Sequence, residues 1–194
     1  MTDFQNRTPF LFLDRDGVIN TRTPGDYVKN RAEFVFENGA LEALALLAGM
    51  FPRIVVVTNQ AGVGRGLMTE ADLLDVHQFM LEKTAAAGGR IDRAYFCPHR
   101  SDAGCGCRKP APGMAFQAKN DFPEIDFSRS IIVGDSASDM AFGQRLGMTT
   151  VLLPGKFEDA DALAAMQVDF RFESLLGFAQ WFLGQTTPHM AGIV

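Results

Sequence analysis

The stretch Leu11-Phe-Leu-Asp14-Arg-Asp16-Gly17-Val-Ile-Asn20 (LFLDRDGVIN) joins an apolar run to two carboxylates one residue apart. Phe10 to Leu13 is too short for a helix and reads as a buried strand, with Gly17 letting the chain turn beside the acids. A lone acid pair at a strand end is satisfied by a turn with an Asp cap. Its meaning depends on what else the chain brings to the same edge. Two more strand-like runs carry polar ends: Ile54 to Val57 is followed by Thr58, Asn59 and Gln60 (VVVTNQ), and IIVGDSASDM adds Asp135 and Asp139. Turns alone do not explain three such ends.

Outward from these runs, Gly39 to Met50 has helical spacing, and Thr69 is an N-cap candidate for a helix to about Ala87, stopped by Gly88 and Gly89. A strand near Ala94 to Cys97 follows, then a helix near Gly113 to Asn120 and a strand from Ser130 to Val133. After these come a helix from about Ser138 to Leu146, a strand from Thr149 to Leu153, and a final strand and helix within Val168 to Phe182. Strands alternating with helices predict an α/β, Rossmann-like fold, a parallel sheet with helices on both faces. The gaps from Asp14 to Thr58 and from Thr58 to Lys109 are filled by these elements, leaving no room for a large cap domain. A single domain over 1–183 is expected, followed by a tail over 184–194 without periodic pattern.

The 194 residues carry 47% hydrophobic and 21% charged residues, ordinary for a globular chain. A formal charge of −5 disfavours a nucleic-acid partner, which needs clustered cations. No apolar run approaches the ~20 residues that span a bilayer, and MTDFQNRTPF lacks the basic start of a secretion signal, so a cytoplasmic protein without a membrane partner is expected.

Open α/β sheets bind ligands beyond the carboxyl ends of their strands, where strand order reverses. Four carboxylates converging there would raise one another's pKa unless a cation offset their charge. An all-oxygen set suits magnesium. Phosphate monoesters are the substrates whose hydrolysis most needs such a site, requiring up to ~10²¹-fold acceleration. Carboxylate attack divides that reaction through an aspartyl-phosphate, with a second acid moving the proton. Asp14 and Asp16 have the adjacency for those two parts, and Lys109 in CRKP is the cation best placed by order for the phosphoryl oxygens.

The motif set resembles the haloacid-dehalogenase phosphatases: DxDG at Asp14 and Asp16, a strand-end Thr at Thr58, a Lys at Lys109, and GDxxxD at Asp135 and Asp139. The resemblance covers the chain to roughly Leu153. It implies Asp14 as nucleophile and Asp16 as acid/base. Magnesium would be held by Asp14, the Asp16 carbonyl and Asp135, with Asp139 in support, while Thr58 and Lys109 would hold the phosphate. Asn59, Gln60 and Arg108 are expected beside the substrate, a small phosphorylated metabolite. Relatives commonly carry Lys or Arg after the Gly-Asp of the fourth motif. Ser136 stands there instead, so a second cation near the metal is expected to be missing.

In FCPHRSDAGCGCRKP, Cys97, His99, Cys105 and Cys107 offer a tetrahedral Cys₃His set for a structural zinc ion, fixing Arg108 and Lys109 against the substrate. This loop is similar to that of the subgroup with heptose-bisphosphate and histidinol-phosphate phosphatases. GRGLMTE and the run from Cys107 to Met114 favour a sugar bisphosphate, whereas the short spacing from His99 to Cys105 resembles the histidinol enzymes. Polynucleotide 3′-phosphatases share the Thr58 to Gly66 stretch, and Gly62, Gly64 and Gly66 allow a nucleotide-binding module. The acidic balance weighs against the first and the spacing against the second. His77 and Trp181 read as packing residues, and Tyr27 as either a substrate contact or a loop closure.

Overall fold

The computed structural model describes residues 9–23, 25–155 and 160–186. Six strands form one sheet: β1 (Phe10–Leu13), β2 (Ile54–Asn59), β3 (Arg93–Cys97), β4 (Ser130–Gly134), β5 (Thr149–Leu152) and β6 (Phe170–Arg171). Their order is β3-β2-β1-β4-β5-β6 and every pairing is parallel. The helices are α1 (Ala40–Ala48), α2 (Ala61–Gly64), α3 (Glu70–Ala86), α4 (Gly113–Asp121), α5 (Ala137–Leu146), α6 (Ala160–Ala164) and α7 (Leu175–Thr186).

Alternation along the strands sorts the core onto two faces. Leu11 and Leu13 of β1 join Ile54, Val56, Ile131 and Val133 beneath Leu44 and Leu47 of α1, Val76 and Met80 of α3, and Phe178 and Phe182 of α7. Phe10 and Phe12 point the other way, with Val55, Val57 and Ile132, against Met114 and Ala118 of α4 and Phe142 of α5. Each such side chain, once buried, stabilises the fold by about 1.5–3 kcal/mol. The central strands are therefore apolar throughout, and chemistry is confined to their ends.

Helix α3 starts as its sequence predicts. Thr69 caps it through a reciprocal box with Asp72, Asp72 N donating to Thr69 Oγ1 at 3.1 Å and Thr69 N to Asp72 Oδ2 at 2.8 Å. The glycine-rich segment after β2 forms the helical turn α2, followed by a bond from Leu67 N to Gly62 O at 2.9 Å. At the other end, residues 184–186 of the expected tail continue α7, and residues 187–194 lie outside the described residues. No helix among the described residues is long and apolar enough to cross a membrane.

Candidate active site

From β1 the chain moves through β2 and β3 to one edge of the sheet, then returns past β1 to β4 and onward to the other. The reversal lies between β1 and β4, which pair Leu13 with Val133. Asp14 follows β1, with its amide bonded to Val133 O at 2.9 Å, and Asp135 follows β4. Each of Asp14, Asp135 and Asp139 offers a carboxylate oxygen within 4.8 Å of the others, and all three residues are buried. Gly17 permits this approach: at φ +86° it adopts a conformation side chains avoid, and a Cβ there would overlap the Asp135 carboxylate.

Lys109, 3% exposed, is the cation of this cluster. Its ammonium contacts Asp14 Oδ1 at 2.9 Å, Asp139 Oδ1 at 2.6 Å and the Val57 carbonyl at 2.6 Å, engaging all three donors. Burial works against its charge, but Asp139 and Asp14 outweigh it and raise its pKa. Asn59, at the end of β2, fixes the lysine's main chain: Lys109 N donates to Asn59 Oδ1 at 3.0 Å and Asn59 Nδ2 donates to Lys109 O at 3.2 Å. Asp139 in turn accepts from the Ser136 hydroxyl at 2.6 Å and amide at 3.1 Å, while Ser136 caps α5. Ser136 thus occupies its position as a helix cap, for which Ser is among the best residues.

Asp16 is held by three side chains. Arg15 Nη2 and Asn20 Nδ2 each donate to Oδ1 at 2.9 Å, and Gln60 Nε2 donates to Oδ2 at 2.7 Å. Burial pushes this carboxyl up, yet the Arg15 charge and these donors prevail and hold it below the usual range. Arg15 is fully buried and also meets His77 Nε2 at 3.2 Å. Burial and that guanidinium lower the His77 pKa to about 3, so it accepts as a neutral ring. Gln60 calls for a correction: expected beside the substrate, its side chain is fully buried, turned inward by bonds to Asp16 and to Thr58 Oγ1 at 2.8 Å.

Crowding marks the other two acids. Burial, then Asp139, lift Asp14 to about 6 against the pull of Lys109, and burial, then Asp14, lift Asp135 to about 8. A residue the sequence did not single out partly relieves this. Arg22 Nη2 donates to Asp135 Oδ1 at 2.8 Å and to the Asp16 carbonyl at 3.3 Å. An all-oxygen donor set, under electrostatic stress and already drawing in a guanidinium, fits a hard divalent ion.

The sulfur loop closes similarly. Cys107 Sγ lies 3.1 Å from Cys97 Sγ and 3.5 Å from Cys105 Sγ, and His99 Nδ1 lies 3.2 Å from Cys107 Sγ. These spacings fall slightly inside the edge of about 3.8 Å expected for sulfurs around a tetrahedral ion at ~2.3 Å. Burial pushes the Cys97 thiol up to about 12, whereas Cys105 is drawn down to about 6, burial notwithstanding, by the Arg108 amide and its neighbouring thiols. A soft cation would let all three ionise together, so the four groups fit zinc.

A family model described as HAD-hydrolase-like matches residues 106–177. The D-glycero-alpha-D-manno-heptose-1,7-bisphosphate 7-phosphatase of Mycobacterium tuberculosis is 40% identical over 178 residues, covering 87% of this chain and 88% of that one. The D-glycero-beta-D-manno-heptose-1,7-bisphosphate 7-phosphatase of Vibrio cholerae is 40% identical over 172 residues, 83% of this chain and 91% of its own. Among solved structures, D,D-heptose 1,7-bisphosphate phosphatase from B. bronchiseptica, complexed with magnesium and phosphate, superimposes with a TM-score of 0.83. That structure is 32% identical and covers 92% of this chain and 99% of its own.

The chain belongs to the haloacid-dehalogenase phosphatases.

In this haloacid-dehalogenase phosphatase Asp14, Asp16 and Asp135 line a cavity of about 640 Å³. Thr58, Asn59 and Lys109 line it, as do three guanidinium groups, those of Arg22, Arg65 and Arg108. The loop after β1 and the turn α2 meet at the rim, where the Tyr27 ring lies so close to Gly62 that a Cβ there would come within 2.9 Å of it. Arg65 lies over the same ring at 5.9 Å. Tyr27 therefore both closes the loop and faces the cavity. Arg22 carried no motif, and only its place in a loop beyond a strand end could have marked it, whereas Arg65 stands within the GRGLMTE stretch.

Proposed function

We propose that this phosphatase removes the 7-phosphate of D-glycero-D-manno-heptose 1,7-bisphosphate through an aspartyl-phosphate. The carrying observation is the convergence of Asp14, Asp135 and Asp139 around buried Lys109, beside a cavity that Arg22, Arg65 and Arg108 also line. Guanidinium groups in the wall beyond the one that meets the reacting phosphate offer partners to a second phosphate, which a single phosphate, as on histidinol phosphate, does not use. The heptose-bisphosphate relatives support the same choice. Three thiols gathered in one loop agree with a reducing, cytoplasmic setting.

Asp14, the Asp16 carbonyl and Asp135 would hold magnesium, with Asp139 in support; the ion would supply positive charge to the phosphoryl oxygens. The Asp14 carboxylate attacks phosphorus, and the bond from phosphorus to the sugar oxygen breaks. Asp16 gives that oxygen its proton. Water then attacks the aspartyl-phosphate, Asp16 takes the water's proton, and phosphate leaves with Asp14 restored. The donors around Asp16 favour its ionised form, the one the second step needs. For the first step an oxygen must carry a proton, and Oδ2 has the fewest ties, a single bond from Gln60. Thr58 and Arg108 would meet the phosphoryl oxygens, while Lys109, expected there beside Thr58, has its three donors engaged and would balance charge on Asp14 instead. In the sulfur loop, zinc would act only as a staple holding Arg108 in line, since Asn59 already fixes the main chain of Lys109.

The test is phosphate release from both anomers of the bisphosphate, beside histidinol phosphate and a 3′-phosphorylated oligonucleotide, by wild type and Asp14→Asn. The heptose substrates should be preferred, and the variant should lose at least about 10⁴-fold in kcat, as when an attacking group is deleted. A preference for histidinol phosphate, or an active variant, would overturn the reading.

A further inference from the structure

Arg22 lies in the loop after β1 and reaches across to the loop after β4. Its Nη2 bonds Asp135 Oδ1 at 2.8 Å and the Asp16 carbonyl at 3.3 Å. Asp135 is 3% exposed at its side chain and Arg22 only 23%, so the pair is largely shielded from water. Both acceptor oxygens belong to the set proposed above for the divalent ion, and the inference rests on that reading. A guanidinium and a small ion at ~2.1 Å cannot use the same lone pairs, and their like charges repel at such range. The two cations compete for these oxygens.

The guanidinium is also incompletely satisfied where it stands, because Nη1 is buried without a hydrogen-bond partner. A half-used guanidinium holds its site less firmly than a bidentate one. The direction in which it can leave is set by the cavity, whose wall already includes Arg22 together with Arg65 and Arg108. Lys109 cannot join them without breaking bonds to Asp14, Asp139 and Val57. Ser136, as the cap of α5, brings no cation to the position after Asp135. Arg22 is the side chain that does.

We propose that Arg22 is a resident cation that holds the Asp135 carboxylate and the Asp16 carbonyl until the divalent ion takes them, and that its freed guanidinium then binds the substrate's non-reacting phosphate. Arg22 so links loading of the ion to recognition of a second anionic group. It is a specificity-determining residue, distinct from the groups that touch the reacting phosphorus.

The experiment uses the full chain, stripped of divalent ions with zinc retained. Magnesium binding is followed by titration calorimetry for wild type, Arg22→Gln and Arg22→Lys. Removing the internal competitor should lower the magnesium dissociation constant about two- to fivefold in Arg22→Gln, the scale of one partly exposed ion pair. Arg22→Lys, with its charge kept but no fork, should fall between. The ratio of KM for heptose 1,7-bisphosphate to KM for heptose 7-phosphate should rise about tenfold in Arg22→Gln, since only the bisphosphate loses a contact. Equal or weaker magnesium binding by Arg22→Gln than by wild type overturns the proposal and leaves the phosphatase reading standing, as does an unchanged KM ratio. Failure of wild type itself to bind magnesium removes the reading of the carboxylate cluster and the proposal with it.

Discussion

The Lys109 ammonium meets the Asp14 carboxylate at 2.9 Å, with the lysine side chain only 1% exposed. The same nitrogen reaches Asp139 at 2.6 Å, so one buried cation stands between two buried acids that would otherwise repel. Lys109→Met removes the positive charge from both. Breaking a buried pair by deleting one partner costs about 3–5 kcal/mol, and that loss is expected in urea unfolding of the metal-free protein near pH 7. Turnover should fall by at least about 10²-fold even with saturating magnesium, the scale of losing one electrostatic group. A variant as stable as wild type would mean the two acids are neutralised some other way.

Stability without magnesium should fall as pH rises above 7. Asp135 starts from 3.8 and is raised to about 8, so between these values the folded state binds a proton the unfolded chain lacks. Stability from this source is complete below about pH 4 and is lost as pH passes through about 8. Asp14, raised to about 6, adds the same trend at lower pH. His77, lowered from 6.5 to about 3, acts in the opposite sense between those values, as does Cys105, lowered from 9.0 to about 6, so pH 7 to 8.5 is the window for protein stripped of magnesium with its zinc retained. Denaturation curves across that window should show a decline in wild type so stripped, abolished by Asp135→Asn and by added magnesium. A flat magnesium-free profile would contradict the crowding.

The protein purified without chelators should contain about one zinc per chain, as a closed Cys₃His site demands. Cys107→Ser should lose it. Because Arg108 follows directly, the loss should appear as a KM increase of about tenfold or more, within the 10–100-fold range seen when groups supporting a site are removed. Elemental analysis together with steady-state kinetics decides this. Full zinc content in Cys107→Ser would exclude that sulfur as a ligand.

Gln60→Leu deletes the one donor on Asp16 Oδ2. Without it the ionised form is less favoured, so the Asp16 pKa rises and the basic limb of kcat/KM, set by Asp16 as the acid of the first step, moves to higher pH. A charge-assisted bond of this kind contributes about 1.5–3 kcal/mol, so kcat should fall roughly ten- to a hundredfold with KM little changed. A raised KM on an unmoved pH profile would instead restore Gln60 to the substrate.

The sheet was legible because its signal is local. Short β-branched or aromatic runs closed by glycine and polar residues marked β1 and β4 to within a residue and β2 to within two, and Thr69 as an N-cap marked the start of α3. The short helices α2 and α6 escaped because four or five residues carry no period. At the site, residues adjoining strand ends could be named, since strand order alone delivers Asp14, Asp135 and Lys109 to one place. Orientation could not. Gln60 sits where a substrate contact belongs, yet its amide turns inward to Asp16, and His77 looked like packing until Arg15 was found against it. Arg22 was invisible because its partner lies on a different loop, reached only after the sheet is assembled. Ser136 read as a missing charge, where the helix it caps requires a hydroxyl.

Asn59 clasps the main chain of Lys109 at both its amide and its carbonyl. The lysine is therefore moored to the sheet independently of the sulfur loop that leads into it. Stripping that loop of its ion would slacken Arg108 while leaving the neighbouring ammonium at anchor. Damage by oxidation or chelation should then blunt substrate capture well before it silences the chemical step, and restoring the metal should restore the enzyme without refolding its floor.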